Sequence, residues 1–258
     1  MKITKAKIIL VVIVAYFIIM AMINVNTEKN DNKQMLEDVI MITDGKYNSK
    51  NDGKLVLVTG KIKYDDEITF NELDEEIKSF KVERTVKRFG KNEDSYTWEE
   101  VSKEENENLY TVTETKEFYI GDYKIDGEGL KKIRTNSIYS KQEKIGNMEF
   151  TGLYYTIKDR EENPKVGDLR ITYRYFDLDK EKNISILAKQ TKNGLETYDA
   201  SKNNKVYYVF TKKIDTKEKL ENVLEKNVKT TVRGKSLFII LILGLGIFFI
   251  ADNKKKKA

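Results

Sequence analysis

Two long apolar runs lie at the ends of the chain, and nothing apolar of similar length lies between them. Ile8–Ile23 reads IILVVIVAYFIIMAMI and Leu237–Ala251 reads LFIILILGLGIFFIA, both without a charge. A bilayer core takes about 20 helical residues. Each run is somewhat short, but Ala6, Lys7 and Ser236 extend them and lysine stems reach outward to the headgroups. A buried core helix usually keeps a polar stripe, and these runs keep none. The pattern therefore predicts one transmembrane helix over 8–23 and another over 236–251. For the first run the alternative is a cleaved signal peptide. MKITKAK is a suitable basic leader, but the apolar core exceeds the usual length of roughly 7–15 residues and no small-x-small cleavage site follows. The reading taken is an uncleaved anchor.

Between the runs the period changes several times. In NDNKQMLEDVIMITDG, Leu36, Val39 and Ile40 fall at helical spacing and the pattern stops at Asp44-Gly45, which predicts a short amphipathic helix. Strand patterns follow. LVLVTGKI (Leu55–Ile62) is a short run of the buried type. Phe80, Val82, Arg84 and Val86 alternate with polar partners, as do Tyr110 with Val112 and Phe118 with Ile120. In DLRITYRYF, Leu169, Ile171, Tyr173 and Tyr175 face one side and Arg170, Thr172 and Arg174 the other, the mark of a half-buried strand. ISILA (184–188) and VYYVF (206–210) are further strands, and Asn193-Gly194 is a hairpin signal. The last polar segment returns to helical period: Leu220, Val223, Leu224 and Val228 form a stripe over 216–231. Asp215 is the expected cap, with Glu218 three residues on.

The isoelectric point near 8.9 invites a nucleic-acid reading, but the charge distribution removes it. With Lys2, Lys5, Lys7 and Lys254–Lys257 set aside, basic and acidic residues in the middle nearly cancel. The excess positive charge lies in the flanks of the apolar runs, and basic flanks mark the cytoplasmic side. Both termini are then expected in the cytoplasm and 24–235 outside it. Lys229, Arg233 and Lys235 abut the second run on its other side and weaken the signal there.

Candidate chemistry is sparse. The chain has no Cys and no His, which removes thiolates, disulfides and the commonest general base. Acidic clusters occur at Asp65-Asp66-Glu67, Glu99-Glu100, Glu104-Glu105 and Asp177, Asp179, Glu181. In a chain that is 34% charged such clusters are expected on solvated faces. DLDKEKN (177–183) alternates acids as a calcium loop does, but lacks the glycine at position six and the glutamate at twelve. No phosphate-binding glycine loop and no nucleophile elbow appears. Asn183-Ile184-Ser185 is a glycosylation sequon that overlaps a strand. Trp98 is the single tryptophan; its ordinary reading is a core or edge aromatic, and its functional reading is an anchor for a protein partner. Gly244-x-Gly246 permits close helix contact, though not at the G-x-x-x-G spacing.

Several segments in order resemble the transmembrane protein 43 family: GKLVLVTGKI (53–62), FKVERTVKRF leading to SYTWEEV (80–101), PKVGDLRITYRYFD (164–177) and ISILAKQTKNGLETYD (184–199). The final helix leading into the second apolar run is similar too. The resemblance covers most of the chain from Asn51 onward. It implies an N-terminal span, a large non-cytoplasmic domain and a C-terminal cluster of spans, in proteins regarded as membrane organisers or scaffolds of the endoplasmic reticulum and inner nuclear membrane in animals. This chain departs in carrying one C-terminal span, and GKNEDS (90–95) interrupts the tryptophan motif. The resemblance supplies no catalytic residue.

The expected architecture is an α+β membrane protein, a β-rich extracytoplasmic domain flanked by an N-terminal and a C-terminal transmembrane helix. Its parts are a cytoplasmic N-terminus (1–7), a span (8–23), the β-rich domain (24–235) with an amphipathic helix at 216–231, a second span (236–251) and a lysine-rich cytoplasmic tail (252–258). The expected function is a non-enzymatic scaffold or envelope-organising interaction module, the alternative a sensor or accessory subunit that binds a ligand or partner outside. A hydrolase ranks behind both. No catalytic, cofactor-binding or metal-binding residue is assigned. The expected partners are the lipid bilayer and other proteins or copies of the chain, with no nucleic acid and no cofactor.

Overall fold

The computed structural model describes residues 5–64, 67–180, 183–192, 194–201, 204–228 and 230. In chain order the elements are α1 (Lys5–Asp38), β1 (Ile40–Ile42), β2 (Leu55–Lys63), β3 (Lys81–Asn92), β4 (Ser95–Glu100), β5 (Val112–Thr115), β6 (Phe118–Ile120) and β7 (Tyr123–Ile125). Next come α2 (Gly127–Lys132), β8 (Ser137–Ile138), β9 (Lys144–Ile145), β10 (Met148–Phe150), β11 (Tyr155–Thr156), β12 (Leu169–Tyr175) and β13 (Asn183–Thr191). β14 (Gly194–Glu196), β15 (Tyr198–Ser201), β16 (Asn204–Val206) and β17 (Tyr208–Phe210) follow, and then helix α3 (217–228). The chain forms two units: Ile42–Tyr198 with Tyr207–Lys213, and Met1–Met41 with Asp199–Val206 and Ile214–Ala258.

The larger unit holds two antiparallel sheets. In the first the order is β14-β13-β2-β6-β7, with β17 also on β13. Its centre is the β2–β13 pair, in which Val58 lies opposite Ile186 and Leu57 opposite Leu187. Leu55–Val58 and Ile184–Ala188 are buried on consecutive positions, so both faces are covered, as the unbroken apolar runs require. The turn before β7 depends on two glycines. Gly45 (φ 67°) and Gly121 (φ 60°) both lie in the left-handed region. A Cβ on Gly121 would stand 2.2 Å from the Gly45 carbonyl oxygen, which itself accepts a bond from the Asp122 amide at 2.8 Å.

In the second sheet the order is β4-β3-β12-β11-β10-β9, with β5 on β3 and β8 on β12. One face is core: Val82, Val86, Tyr155, Ile171 and Tyr173 pack with Ile68, Phe70, Ile77 and Tyr139. The alternation expected in DLRITYRYF holds, since Ile171 and Tyr173 are fully buried while Arg174 is exposed. Arg84, on the apolar phase of β3, is only 4% exposed. Its guanidinium meets the Glu72 carboxylate at 2.5 Å, donates to the Tyr110 carbonyl at 2.9 Å and lies 5.0 Å from the centroids of both Phe70 and Tyr110. A buried cation is tolerable only with such partners.

The smaller unit carries the corrections. Ile8–Ile23 does not stand alone as a span: it is part of α1, a single 34-residue helix that continues through Thr27, Lys29, Asp31, Lys33 and Glu37. Charges so closely spaced are expensive inside a bilayer. Among the described residues no helix is long and apolar enough to cross a membrane. The expected fold class is therefore corrected: among the described residues the chain is β-rich and carries no flanking transmembrane helix. The second expected span, 236–251, the tail, 252–258, and Gly244-x-Gly246 lie outside the described residues, as do residues 1–4. The short helix expected up to Gly45 is also displaced. α1 ends at Asp38 and Ile40–Ile42 is strand, so Met35 and Val39 are the buried positions, with Leu36 partly covered. The run VYYVF is divided at Tyr207 into β16 and β17. Helix α3 buries Leu220, Leu224 and Val228. Its cap is Thr216, whose hydroxyl accepts the Lys219 amide at 3.2 Å, whereas Asp215 bonds the Lys219 ammonium at 2.6 Å. The Lys217 ammonium donates to the carbonyls of Leu36 at 2.8 Å and Glu37 at 3.3 Å. It supplies the cation that the last turn of α1 lacks, where the helix dipole favours one.

Candidate interaction surface

Among the described residues, the second face of the β4-β3-β12 sheet gathers a cluster of aromatic and cationic side chains. Register places it there. Phe89 lies opposite Trp98, Lys91 opposite Tyr96 and Lys87 opposite Glu100, while Arg170 lies opposite Lys87 across the β3–β12 ladder. These side chains share the face opposite the core because side chains alternate along a strand. The Arg170 guanidinium lies between two rings, 4.1 Å from the centroid of Trp98 and 4.3 Å from that of Tyr154. Phe89 sits 5.2 Å from Trp98 and stacks on Tyr96 at 5.8 Å. Tyr96 itself is 60% exposed.

Arg170 is held rather than merely adjacent. It donates to the Glu161 carbonyl at 3.0 Å, and the Tyr154 hydroxyl donates to the Glu161 carboxylate at 3.2 Å. Its Nε is buried and has no hydrogen-bond partner among the described residues, so the two aromatic faces supply its electrostatic compensation. The loop that carries Glu161 is pinned by Asp168, a nearly buried carboxylate. Asp168 accepts from the Arg160 guanidinium and from the Lys165 amide, both at 2.6 Å. Gly167 (φ 95°) lets the chain turn back, and its amide donates to the Phe89 carbonyl at 2.9 Å. Burial alone would raise the Asp168 pKa, but the Lys165 amide and the Arg160 charge outweigh it and hold the carboxyl below its ordinary range. Exposed Val166 and Leu153 stand on the two loops that frame the stack.

The other polar clusters are structural. Tyr173 donates to Glu72 at 2.5 Å. Burial, then that acceptor, pushes the phenol far above its ordinary pKa, so it stays protonated and is no nucleophile. Gln190, fully buried, accepts from Tyr123 at 2.6 Å and donates to Asp52 and to the Asn48 carbonyl, both at 2.7 Å. This ties the 44–53 loop to β13. The acidic clusters do not converge. Glu105 is spent on Arg88 at 2.7 Å and on the Ser102 amide at 2.9 Å, and Asp177 accepts the Asp179 amide at 2.9 Å. Asp65, Asp66 and Glu181 lie outside the described residues. Among those described, no group of three acidic residues is placed to hold a metal ion. The sequon Ser185 is buried against Thr59 at 2.9 Å. Trp98, singled out in the sequence, is built into this surface. Sequence reasoning misses Tyr154, and it reads Arg170 as facing solvent or a partner surface, without the rings that enclose it. No local signal could have found the stack, because the shared face of Arg170 and Trp98 is set by the β4–β3–β12 register.

The fold is a β-sheet domain, and this face gathers aromatic and cationic side chains on one sheet surface. Residues 90–253 match the model of the family described as Transmembrane protein 43. The chain belongs to the transmembrane protein 43 family, a family of membrane proteins, and the matched span contains Trp98, Tyr154, Asp168 and Arg170. No curated protein and no solved structure matches the chain.

Proposed function

We propose that the chain is a non-enzymatic membrane protein that acts as a scaffold, an interaction module that organises the envelope at which it sits. The carrying observation is the Phe89–Trp98–Arg170–Tyr154 stack. Tryptophan, tyrosine and arginine are enriched at interface hot spots, and the two aromatics bury large area at little entropic cost. The stack is already assembled, so a partner does not have to order it on binding. Its partners are the bilayer and other proteins or further copies of itself. The domain 24–235 lies outside the cytoplasm and both termini inside, as the lysine-rich ends favour.

The test is affinity capture of the intact protein in detergent, with quantitative comparison of what accompanies it. Arg170→Ala and Tyr154→Ala are expected to lose the partner that the wild type retains, with the far-ultraviolet spectrum unchanged. Equal recovery by the wild type and both variants would overturn the role of this face. Protease added outside intact cells is expected to degrade the domain and spare tags at both ends. A C-terminal tag digested with the domain would overturn the orientation.

A further inference from the structure

β4 is the terminal strand of its sheet, and the register shows which of its backbone groups look outward. The Val101 amide donates to the Val86 carbonyl at 2.9 Å. From there the β3–β4 pairing runs without a slip, from Lys87–Glu100 to Asn92–Ser95. Bonded and non-bonded pairs alternate in an antiparallel ladder. Thr97 and Glu99 therefore turn their amides and carbonyls toward β3, while Tyr96, Trp98 and Glu100 turn theirs away. The next strand obeys the same rule: the Phe89 amide points away from β4 and donates to Asp168 at 2.8 Å. Among the described residues nothing pairs with the outward groups of Tyr96, Trp98 and Glu100. An open edge is normally blunted by proline, lysine, a bulge or a cover. SYTWEE has neither proline nor lysine, and its register has no bulge.

We propose that this edge pairs with the same edge of a second copy of the chain, antiparallel about a twofold axis at Trp98, so that two copies form one continuous sheet. Self-complementarity of charge selects this occupant and this register. With the axis at Trp98, Tyr96 faces the partner's Glu100 and Thr97 faces the partner's Glu99. Across the outer face the rows read Lys87, Glu100, the partner's Tyr96, the partner's Lys91 and, through the axis, Phe89, Trp98, the partner's Trp98, the partner's Phe89. No like charges meet, and cross-strand aromatic and opposite-charge pairs are the stabilising kind. Moving the axis to Glu99 sets Glu99 against its own copy. Moving it to Thr97 sets Glu100 against the partner's Asp94. A C2 pairing of this kind closes on itself and does not propagate into a fibre. The proposal deepens the scaffold reading and rests on it for its purpose, but its test reads self-association alone. Loss of a captured protein and loss of the dimer are separate results.

The intact protein in detergent is expected to have the mass of two chains of 30.1 kDa. Tyr96→Pro removes an outward donor without touching the β3 ladder and is expected to halve that mass. Because the chain has no native cysteine, a second measurement is clean. Copies carrying Thr97→Cys mixed with copies carrying Glu99→Cys are expected to form a disulfide-linked pair on mild oxidation, since these positions face each other across the edge at a spacing that suits the bond. Asp159→Cys copies, on an exposed turn, are expected not to link. A monomeric wild type would overturn the proposal. So would a dimer that links through Asp159→Cys as readily as through the 97/99 mixture, or a dimer that Tyr96→Pro leaves intact. If Tyr96→Pro fails to fold, the cross-linking result decides alone.

Discussion

Arg170 shows how much one residue's cost depends on what folds over it. Strand phase makes it a surface arginine, and a surface truncation usually costs within about 0.5 kcal/mol. Its place between Trp98 and Tyr154 raises the expectation, because desolvated cation–π contacts reach about 2 kcal/mol. Arg170→Ala is expected to destabilise by about 1–2 kcal/mol in urea unfolding, and Arg170→Lys to recover only part, since an ammonium lacks the planar face. A loss below the surface figure would show that the stack contributes nothing to folding. Asp168 supplies a pH dependence. Its folded pKa lies below the ordinary 3.8, so its contribution is fully present above that value and is lost as pH falls through the lower folded value. Asp168→Ala is expected to cost about 1.5–3 kcal/mol near neutrality, the range for hydrogen bonds to a charged group. The difference from wild type should shrink below about pH 4. A gap that stays constant down to pH 2 would rule out the ionised carboxylate as its source.

Among the elements, β12 and the helix ends are the informative ones. Ile171 is fully buried between Val86 on β3 and Tyr155 on β11. Ile171→Asp is expected to destabilise by about 3 kcal/mol or more, because it buries an unpaired charge, while Thr172→Asp, one position on and facing out, should cost far less. The reverse order in a denaturant series would mean that the faces are inverted. Two helix C-termini are closed by lysines from elsewhere. The Lys81 ammonium donates to the Ile133 carbonyl at 2.6 Å, just past α2, as Lys217 does for α1. Lys217→Ala is expected to speed amide exchange in the last turn of α1, for a loss of about 0.3–1 kcal/mol. Unchanged exchange there would sink the capping role.

At the scale of the molecule, protection should follow the sheets. The β2–β13 pair is buried on both faces and joins segments far apart in the chain. Its amides are expected to be the slowest to exchange in native-state measurements, with those of the β9–β10 hairpin at the other end of the second sheet much faster, since exposed edges open at low cost. Slowest exchange in α3 would contradict this. The long-range pairing also predicts slow folding, because loop closure precedes its reward.

Period and composition were enough to mark β2, β3, β12 and β13 and their buried faces, because alternation and unbroken apolar runs report burial locally, residue by residue. They also marked the α3 stripe and Trp98. Pairing partners were not legible: that β13 lies beside β2, or that β4 is left at an edge, depends on contacts between distant segments. The short strands β7 to β11 escaped because two or three residues carry no readable period. Only the assembled fold placed Thr216 rather than Asp215 at the cap, and only it set Tyr154 and Trp98 on either side of Arg170. The apolar run at 8–23 misled for the opposite reason. Its local composition was unambiguous, but helix length is set by the whole segment, and α1 runs on through charged residues to Asp38. Sequence determines what each segment can bury; the tertiary structure decides against what, because burial is completed only by a neighbour.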